Sequence, residues 1–245
     1  MWTGSAILSW GKPMIDLHTH ILPGVDDGSP DAATSAQMLA LMQQQGVELL
    51  AATPHFYAWN DDPEAFLQRR QQGFDRLTEA GIHTDRILPG AEVAYFDGMS
   101  KSQVLQQLQL GHTGLLLVEM PFRNWNDRII RDICELPMQL NLQPVLAHVD
   151  RYAGRQQLPK YKDTLLANGV FFQCNADAFL KGWSSRRYFK MLAMGQIHFL
   201  GSDCHNLTSR APNLGAAATA IGKKIGPGLL PELKAFQKEL LFSQK

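Results

Sequence analysis

Histidines and carboxylates recur at the ends of apolar stretches along this chain. The first case is His18 and His20, which end an apolar run that begins at Met14 and precede Asp26 and Asp27. Residues two apart in a β-strand point to the same side, so these imidazoles could bind one cation together. Such a pair alone is weak evidence, because histidines at strand ends are often ordinary polar residues. A metal site therefore requires matching ligands elsewhere.

Later apolar runs supply such residues. The runs at 47–53, 87–91, 114–118 and 143–147 lead to His55, Glu92, Glu119 and His148, and the run at 197–201 leads to Asp203 and His205. Of about seven predicted strands, about six thus end in His, Asp or Glu. Each residue alone could be a helix cap or a satisfied core group. Together they indicate one site, with the candidate metal ligands His18, His20, Asp27, His55, Glu92, Glu119, His148, Asp203 and His205.

Predicted helices separate these strands. They cover residues 33–45, 63–80, 100–110, 127–140, 158–168 and 183–194, a further strand covers 170–175, and two more helices start near Pro212 and Pro231. This alternation predicts a parallel sheet, and in a (β/α) barrel functional residues gather at the C-terminal ends of the strands. The 245 residues suit one α/β domain of this kind over 14–245. Residues 1–13 lack a clear period and are predicted to be a flexible extension.

The chemistry follows from the ligand types. A mixed His/carboxylate set suits Mn²⁺, Fe²⁺ or Zn²⁺, and the candidates are too many for one ion. About two or three ions with a bridging carboxylate would lower the pKa of bound water and bind both oxygens of a phosphoryl transfer. The expected nucleophile is a metal-bound hydroxide. Arg151 and Arg210 follow ligand-bearing strands, where a guanidinium fork could bind phosphate oxygens; the less favoured alternative is that they are solvated surface arginines.

Composition excludes several other classes of protein. Lys and Arg total 23, as do Asp and Glu, so no net charge attracts the protein to nucleic acid or an anionic membrane. No apolar run reaches the ~18–20 residues needed to cross a bilayer, and the first residues lack the features of a signal peptide. Three widely spaced cysteines argue against a disulfide framework. A cytoplasmic location is therefore expected.

The chain resembles the polymerase-and-histidinol-phosphatase (PHP) superfamily, and within it the bacterial metal-dependent protein-tyrosine phosphatases of capsule and exopolysaccharide operons. The matching residues are Met14-Ile15-Asp16-Leu17-His18-Thr19-His20, Asp26-Asp27-Gly28, Thr53-Pro54-His55, Gly90-Ala91-Glu92, Val118-Glu119, Ala147-His148-Val149-Asp150-Arg151, Ser202-Asp203-Cys204-His205-Asn206 and Ser209-Arg210. The family usually has Glu at Asp150, and the segment between Met99 and Gly114 is shorter than its pattern predicts. The shorter segment concerns the substrate loops, not the metals.

The resemblance implies a role for each residue. The fold would be a distorted (β/α)7 barrel, with Mn²⁺ the leading metal and Fe, Co or Zn as alternatives. His18, His20, Glu92 and Asp203 would hold one ion, Glu119 and His148 a second one bridged by Glu92, and Asp27, His55 and His205 a third. Arg151 and Arg210 would take the phosphate, and with Asp203 form the catalytic set. The expected partner is a phosphotyrosine protein, a tyrosine-rich tail of an autokinase of polysaccharide synthesis.

Other functions compete with this one. Cys204 and Arg210 match the C-x5-R pattern of cysteine-dependent phosphatases, but the intervening loop has no glycine to wrap a phosphate. Cys204 should also point away from the side shared by Asp203 and His205. Within metal hydrolases the alternative is a histidinol phosphatase type of small-molecule phosphomonoesterase. From a different class comes a non-catalytic metal-binding interaction protein. The remaining histidines, His83, His112 and His198, are expected to be structural.

Overall fold

Short parallel strands alternate with helices along the part of the chain that the computed structural model describes, residues 14–122, 124–153 and 157–242. The strands are β1 (Met14–Thr19), β2 (Val47–Ala52), β3 (His55–Phe56), β4 (Ile87–Pro89), β5 (Glu92–Ala94), β6 (Leu115–Glu119), β7 (Gln143–Leu146), β8 (Phe171–Asn175) and β9 (Phe199–Gly201). The helices are α1 (Ala32–Gln44), α2 (Pro63–Glu79), α3 (Asp127–Leu140), α4 (Asp150–Ala153), α5 (Gln157–Ala167), α6 (Arg186–Ala193), α7 (Leu214–Lys224) and α8 (Leu229–Phe242). The predicted extension, 1–13, lies outside the described residues.

The strands form two parallel sheets that belong to one curled layer. One has the order β1-β2-β4, and the other has the order β3-β5-β6-β7-β8-β9. The outer strands β1 and β9 also approach each other. Just beyond them, the backbone N–H of Asp203 donates to the carbonyl of His18 (2.8 Å), and the backbone N–H of His20 donates to the carbonyl of Cys204 (3.0 Å). The chain is therefore a single α/β domain with a curled parallel sheet.

Two of the predicted strands are interrupted. The stretch at 47–53 is followed by Pro54, which has no N–H to donate to a sheet, and pairing resumes in β3. The stretch at 87–91 breaks at Gly90, where a Cβ atom would lie 2.5 Å from Cδ2 of Leu110. His55 and Glu92 thus begin short strands of their own instead of following longer ones.

Some predicted helices also differ. The helix expected over 100–110 is instead two 3₁₀ helices, Met99–Lys101 and Gln103–Gln107. The reason is Asp132, which accepts from the backbone N–H groups of Gly98 (2.8 Å) and Ser100 (3.0 Å) and so holds a turn where an α-helix would begin. The helix expected over 183–194 begins with a 3₁₀ turn, Gly182–Ser185, and continues as α6.

The core has an inner and an outer layer. Ile15 and Leu17 of β1 pack with Leu117 of β6, Val145 of β7 and Phe199 of β9 in one buried cluster inside the curl. The alternate residues of the same strands pack outward, as the two-residue period requires, against α3 and other helices. The interior is thus filled with side chains, and the polar strand ends lie above it. Among the described residues, no helix is long and apolar enough to span a membrane.

Candidate metal centre

The end of β1 brings two buried imidazoles together. Nε2 of His18 lies 3.1 Å from Nε2 of His20, and both side chains are buried. Each Nε2 also lies 3.6 Å from Oδ1 of Asp203, which comes from the loop after β9. The register of β1 against β2 shifts between Asp16 and Thr19, and such an irregularity re-aims the side chains beside it.

Glu92 lies at the centre of the cluster. Its Oε2 is 3.1 Å from Nε2 of His18, 3.3 Å from Nε2 of His20 and 3.1 Å from Nδ1 of His55. Its Oε1 is 2.8 Å from Nε2 of His148. Burial disfavours the charged carboxylate, but these histidines outweigh burial and hold the pKa of Glu92 well below its usual value. One anionic side chain thus contacts four imidazoles.

Two further groups extend the cluster on either side of Glu92. On one side, Oδ1 of Asp27 lies 3.5 Å from Nε2 of His55 and 3.4 Å from Nε2 of His205. On the other, Oε1 of Glu119 lies 3.3 Å from Nε2 of His148. All the metal ligands predicted from the sequence therefore lie in one connected network at the C-terminal side of the sheet.

The donor atoms of this network fit divalent cations. Ligand atoms converge to within 4.8 Å of one another in three sets, which are His20, Asp27, His55 and His205; His18, His20 and Glu92; and His55, Glu92 and Glu119. Nε2 of His205 is buried and has no hydrogen-bond partner. Nδ1 of His55 is likewise buried without a hydrogen bond, although Oε2 of Glu92 lies 3.1 Å away. Buried polar atoms without partners are rare, and a cation would satisfy both nitrogens.

Asp26 supports the centre, and the sequence did not reveal this role. Its Oδ2 lies 2.6 Å from Nδ1 of His20 and accepts from the backbone N–H of His55 (3.0 Å). Burial opposes the charge on His20, but Asp26 and Glu92 outweigh it and raise the pKa of His20 to about 10. Burial likewise opposes the charge on Asp26, yet His20 brings the pKa of Asp26 down to about 2. A carboxylate on the second ring nitrogen orients a ligating histidine.

Gln173 and Asn175 of β8 form a second supporting group that the sequence analysis missed. Oε1 of Gln173 lies 3.2 Å from Nδ1 of His18 and accepts from the backbone N–H of His148 (2.6 Å). The Gln173 amide donates to Asn175, and the Asn175 amide donates to Asp203, both at 3.0 Å. The available signal was two polar residues, two apart, at the strand end that lacks His, Asp and Glu. They connect three candidate ligands.

Backbone strain occurs at two of the candidate ligands. His148 has φ of 33° and Asp203 has φ of 53°, values that are uncommon for residues other than glycine. The Asp203 backbone is held by its hydrogen bond to His18, and the His148 backbone by its hydrogen bond to Gln173. Strained conformations persist where surrounding contacts enforce them, commonly at functional sites.

Arg151 and Arg210 meet at the edge of the cluster. Arg151 donates to Oδ2 of Asp203, and Nη2 of Arg210 donates to Oδ1 of the same carboxylate at 2.6 Å. Both side chains are about one-third exposed and line a cleft of about 370 Å³ with Lys181. These two arginines are therefore not isolated surface residues. A groove of about 690 Å³ elsewhere lies between α1 and residues 81–87.

Cys204 lies on the other side of its backbone from the cluster. The thiol is fully buried in an apolar group with Ile21, Met38 and Leu50, and burial raises its pKa well above the usual value. A buried, protonated thiol is a poor nucleophile. The orientation predicted from the strand period is therefore confirmed. His198 lies at the far end of the sheet, where its Nδ1 accepts from the backbone N–H of Phe172 (3.1 Å).

Comparisons with known proteins show which family the chain is similar to. Residues 14–238 match the family described as capsular polysaccharide synthesis, CpsB/CapC. The tyrosine-protein phosphatase YwqE of Bacillus subtilis is 30% identical over 241 residues, which cover 93% of this chain and 91% of the relative. The tyrosine-protein phosphatase CpsB of Streptococcus pneumoniae is 29% identical over 237 residues, covering 90% and 94%.

The fold has a solved counterpart as well. A structure from the work "Crystal structures of YwqE from Bacillus subtilis and CpsB from Streptococcus pneumoniae, unique metal-dependent tyrosine phosphatases" superposes with a TM-score of 0.80 and 27% identity. The match covers 95% of this chain and 96% of that chain. The resemblance inferred from the sequence is confirmed, and this protein belongs to the CpsB/CapC family.

Proposed function

We propose that this protein is a metal-dependent protein-tyrosine phosphatase of capsular or exopolysaccharide synthesis. The observation that carries the proposal is the network around Glu92, in which imidazoles and carboxylates from separate strand ends converge beside two arginines. A set of buried nitrogen and oxygen donors next to phosphate-binding groups suits phosphomonoester hydrolysis. Relatives that span nearly the whole chain carry the name tyrosine-protein phosphatase.

The proposed metal ligands are those predicted from the sequence. His18, His20, Glu92 and Asp203 would hold one ion, and Glu92 would bridge to a second with Glu119 and His148. Asp27, His55 and His205 would hold the third. This division is supported by the shared position of Glu92, although His20 also lies within the set that contains Asp27. Mn²⁺ is the proposed metal, because hard carboxylates and borderline imidazoles are mixed and thiolates are absent from the set.

The chain's own groups would bind and orient the substrate. When bound, divalent ions would supply a nucleophile from water and offset the charge of the phosphate. The guanidinium groups of Arg151 and Arg210 would each present N–H donors to phosphate oxygens. The carboxylate of Asp203 accepts hydrogen bonds from both guanidinium groups. This shared contact fixes their spacing before the substrate binds. Asp26 and Gln173 would orient His20 and His18 by their Nδ1 atoms.

The substrate would be a tyrosine-rich tail of an autokinase that controls polysaccharide synthesis, dephosphorylated in the cytoplasm. For the fold, we propose that β2 with β3 and β4 with β5 count as single interrupted strands. The sheet would then be a distorted (β/α)7 barrel, supported by the hydrogen bonds between the ends of β1 and β9.

Substrate comparison tests this function. The manganese-loaded protein is assayed with a phosphotyrosine peptide, the same peptide carrying phosphoserine, and histidinol phosphate. We expect kcat/KM to be highest for the phosphotyrosine peptide. A clear preference for histidinol phosphate would make the protein a small-molecule phosphatase. No turnover of any ester by protein with bound metal would favour a non-catalytic metal-binding protein.

A further inference from the structure

Two exposed aromatic side chains are linked to candidate metal ligands by ring contacts. Phe122 makes this contact directly, and Trp59 makes it through Tyr57. Phe122 is 43% exposed, and its ring lies at 8° to that of His148 with the centroids 6.3 Å apart. Trp59 is 68% exposed and contacts Tyr57, which stacks on His55 at a centroid distance of 5.3 Å. Large exposed apolar groups beside a polar centre indicate a binding surface.

The rings of Phe122 and Tyr57 contact histidines on two sides of the centre. His148 contacts Oε1 of Glu92, whereas His55 contacts Oε2 of the same carboxylate. Phe122 therefore lies against one of these histidines, and Tyr57 lies against the other. An ester substituent that extends from the centre between His55 and His148 would meet both rings.

The backbone immediately before Phe122 is anchored by two hydrogen bonds. The hydroxyl of the buried Tyr152 donates to the carbonyl of Met120 (2.8 Å), and Nε1 of Trp125 donates to the carbonyl of Pro121 (2.6 Å). The exposed ring thus projects from anchored backbone. An aromatic group held in this way loses little conformational entropy when it binds a ligand.

The turn that carries Tyr57 is fixed as well. The backbone N–H of Tyr57 donates to Oδ2 of Asp61 (2.8 Å), and Arg69 donates to Oδ1 of the same carboxylate (2.6 Å). The carbonyl of Tyr57 also accepts from the backbone N–H groups of Asn60 and Asp61, each at 2.8 Å. The backbone that carries each ring is therefore anchored, and each ring lies against a candidate metal ligand.

We propose that Phe122 and Tyr57 bind the phenyl ring of the substrate and make the enzyme selective for aryl over alkyl phosphates. This inference rests on the proposed function, because it requires the phosphate to bind at the metal centre. A phenyl ring can stack on one aromatic side chain and meet the other edge-on, whereas the short alkyl group of phosphoserine can do neither. Each ring is expected to contribute roughly three- to tenfold to the selectivity.

Two phosphonates isolate the contribution of the ring. Phenylphosphonate and methylphosphonate share the phosphonate group, and neither is hydrolysed, so the ratio of their dissociation constants reports ring binding alone. The ratio is measured by calorimetry with manganese-loaded protein. Wild type should bind phenylphosphonate more tightly. The variants Phe122→Leu and Tyr57→Leu should each reduce this preference by roughly three- to tenfold and leave methylphosphonate binding unchanged.

Matched variants exclude a general structural effect. Phe122→Tyr and Tyr57→Phe keep a ring and should retain the preference. Phe236→Leu removes an aromatic side chain that is 36% exposed and contacts His198 at the far end of the sheet, and should also retain it. Equal binding of the two phosphonates by wild type, or an unchanged ratio in both leucine variants, would overturn the ring-binding proposal while turnover of phosphotyrosine continued. No turnover of any phosphate ester would overturn the proposed function and the ring-binding proposal together.

Discussion

At the scale of single residues, Glu92 has the largest predicted effect. It contacts His18, His20, His55 and His148, so its charge supports the whole ligand set. Glu92→Gln keeps the size of the side chain but removes that charge. We expect turnover to be nearly abolished and bound metal to decrease, as measured by phosphatase assay and by elemental analysis of the dialysed protein.

The control for this variant is Glu48→Gln. Glu48 pairs with Lys234 outside the cluster, and its loss should leave metal content unchanged. Full activity with wild-type metal content in Glu92→Gln would rule out the bridging role.

Gln173 gives a second prediction at this scale. Gln173→Met would remove the acceptor that His18 and the His148 backbone share, without adding charge. We expect metal affinity to fall about 10- to 100-fold, measured by competition with a coloured chelator. The control is Gln143→Met, which removes a glutamine from the neighbouring strand β7 and should bind metal normally. Equal affinities for the two variants would mean that Gln173 does not orient ligands.

The candidate ligands could be predicted from the sequence, but the residues that support them could not. The spacing of His18 and His20, and the positions of Glu119 and Asp203 after apolar runs, were enough to predict that these side chains meet. Asp27 was predicted as a ligand, but the supporting role of Asp26 was not, because the turn that follows β1 decides which of the two carboxylates faces His20. No pattern in the sequence reports that geometry.

At the scale of strands and helices, close packing at the end of β9 positions the site. A Cβ atom on Gly201 would lie 2.6 Å from Nε2 of Gln173 and 2.7 Å from Cβ of His18. Gly201→Ala should therefore displace β8 or β1, lower the free energy of unfolding by about 1–3 kcal/mol and weaken metal binding. Urea denaturation of the metal-free protein measures the first effect.

Gly222→Ala is the matched control. Gly222 lies within α7, and its added methyl group would meet no atom within 4 Å. Alanine favours the helix by up to about 1 kcal/mol, so this variant should be slightly more stable than wild type. A Gly201→Ala protein as stable as wild type would show that β1, β8 and β9 tolerate separation.

The prediction of elements from sequence failed where tertiary contacts decide local structure. The order of strands and helices followed from apolar period and from breakers such as Pro63, which begins α2. The 3₁₀ turns over Met99–Gln107 could not be predicted in this way, because they depend on Asp132, about thirty residues further along the chain. Long-range hydrogen bonds of this kind leave no local signal.

At the scale of the whole molecule, His198 predicts a pH dependence of stability. Burial lowers its pKa from 6.5 to about 4, and its Nδ1 accepts a backbone hydrogen bond that protonation would break. Between these values the unfolded chain binds more protons than the folded chain. The free energy of unfolding should therefore fall as the pH drops from 6.5 to about 4, by on the order of 2 kcal/mol from this residue.

Denaturation of the metal-free protein at several pH values tests this dependence. His198→Leu should lose that part of the pH dependence, whereas replacement of the exposed His83 by leucine should keep it. Identical pH profiles for wild type and His198→Leu would show that His198 does not contribute.

Metal ions, and not Cys204, are expected to supply the reactivity of the molecule. The most direct test is turnover of a phosphotyrosine peptide by wild type and Cys204→Ala, first after chelation and then after addition of Mn²⁺, Fe²⁺, Co²⁺ or Zn²⁺. We expect both proteins to be inactive after chelation and both to recover with added metal, because the thiol is buried among apolar side chains. Activity that survives complete removal of metal, or a folded and metal-loaded Cys204→Ala protein without activity, would show that metal ions alone do not supply the reactivity.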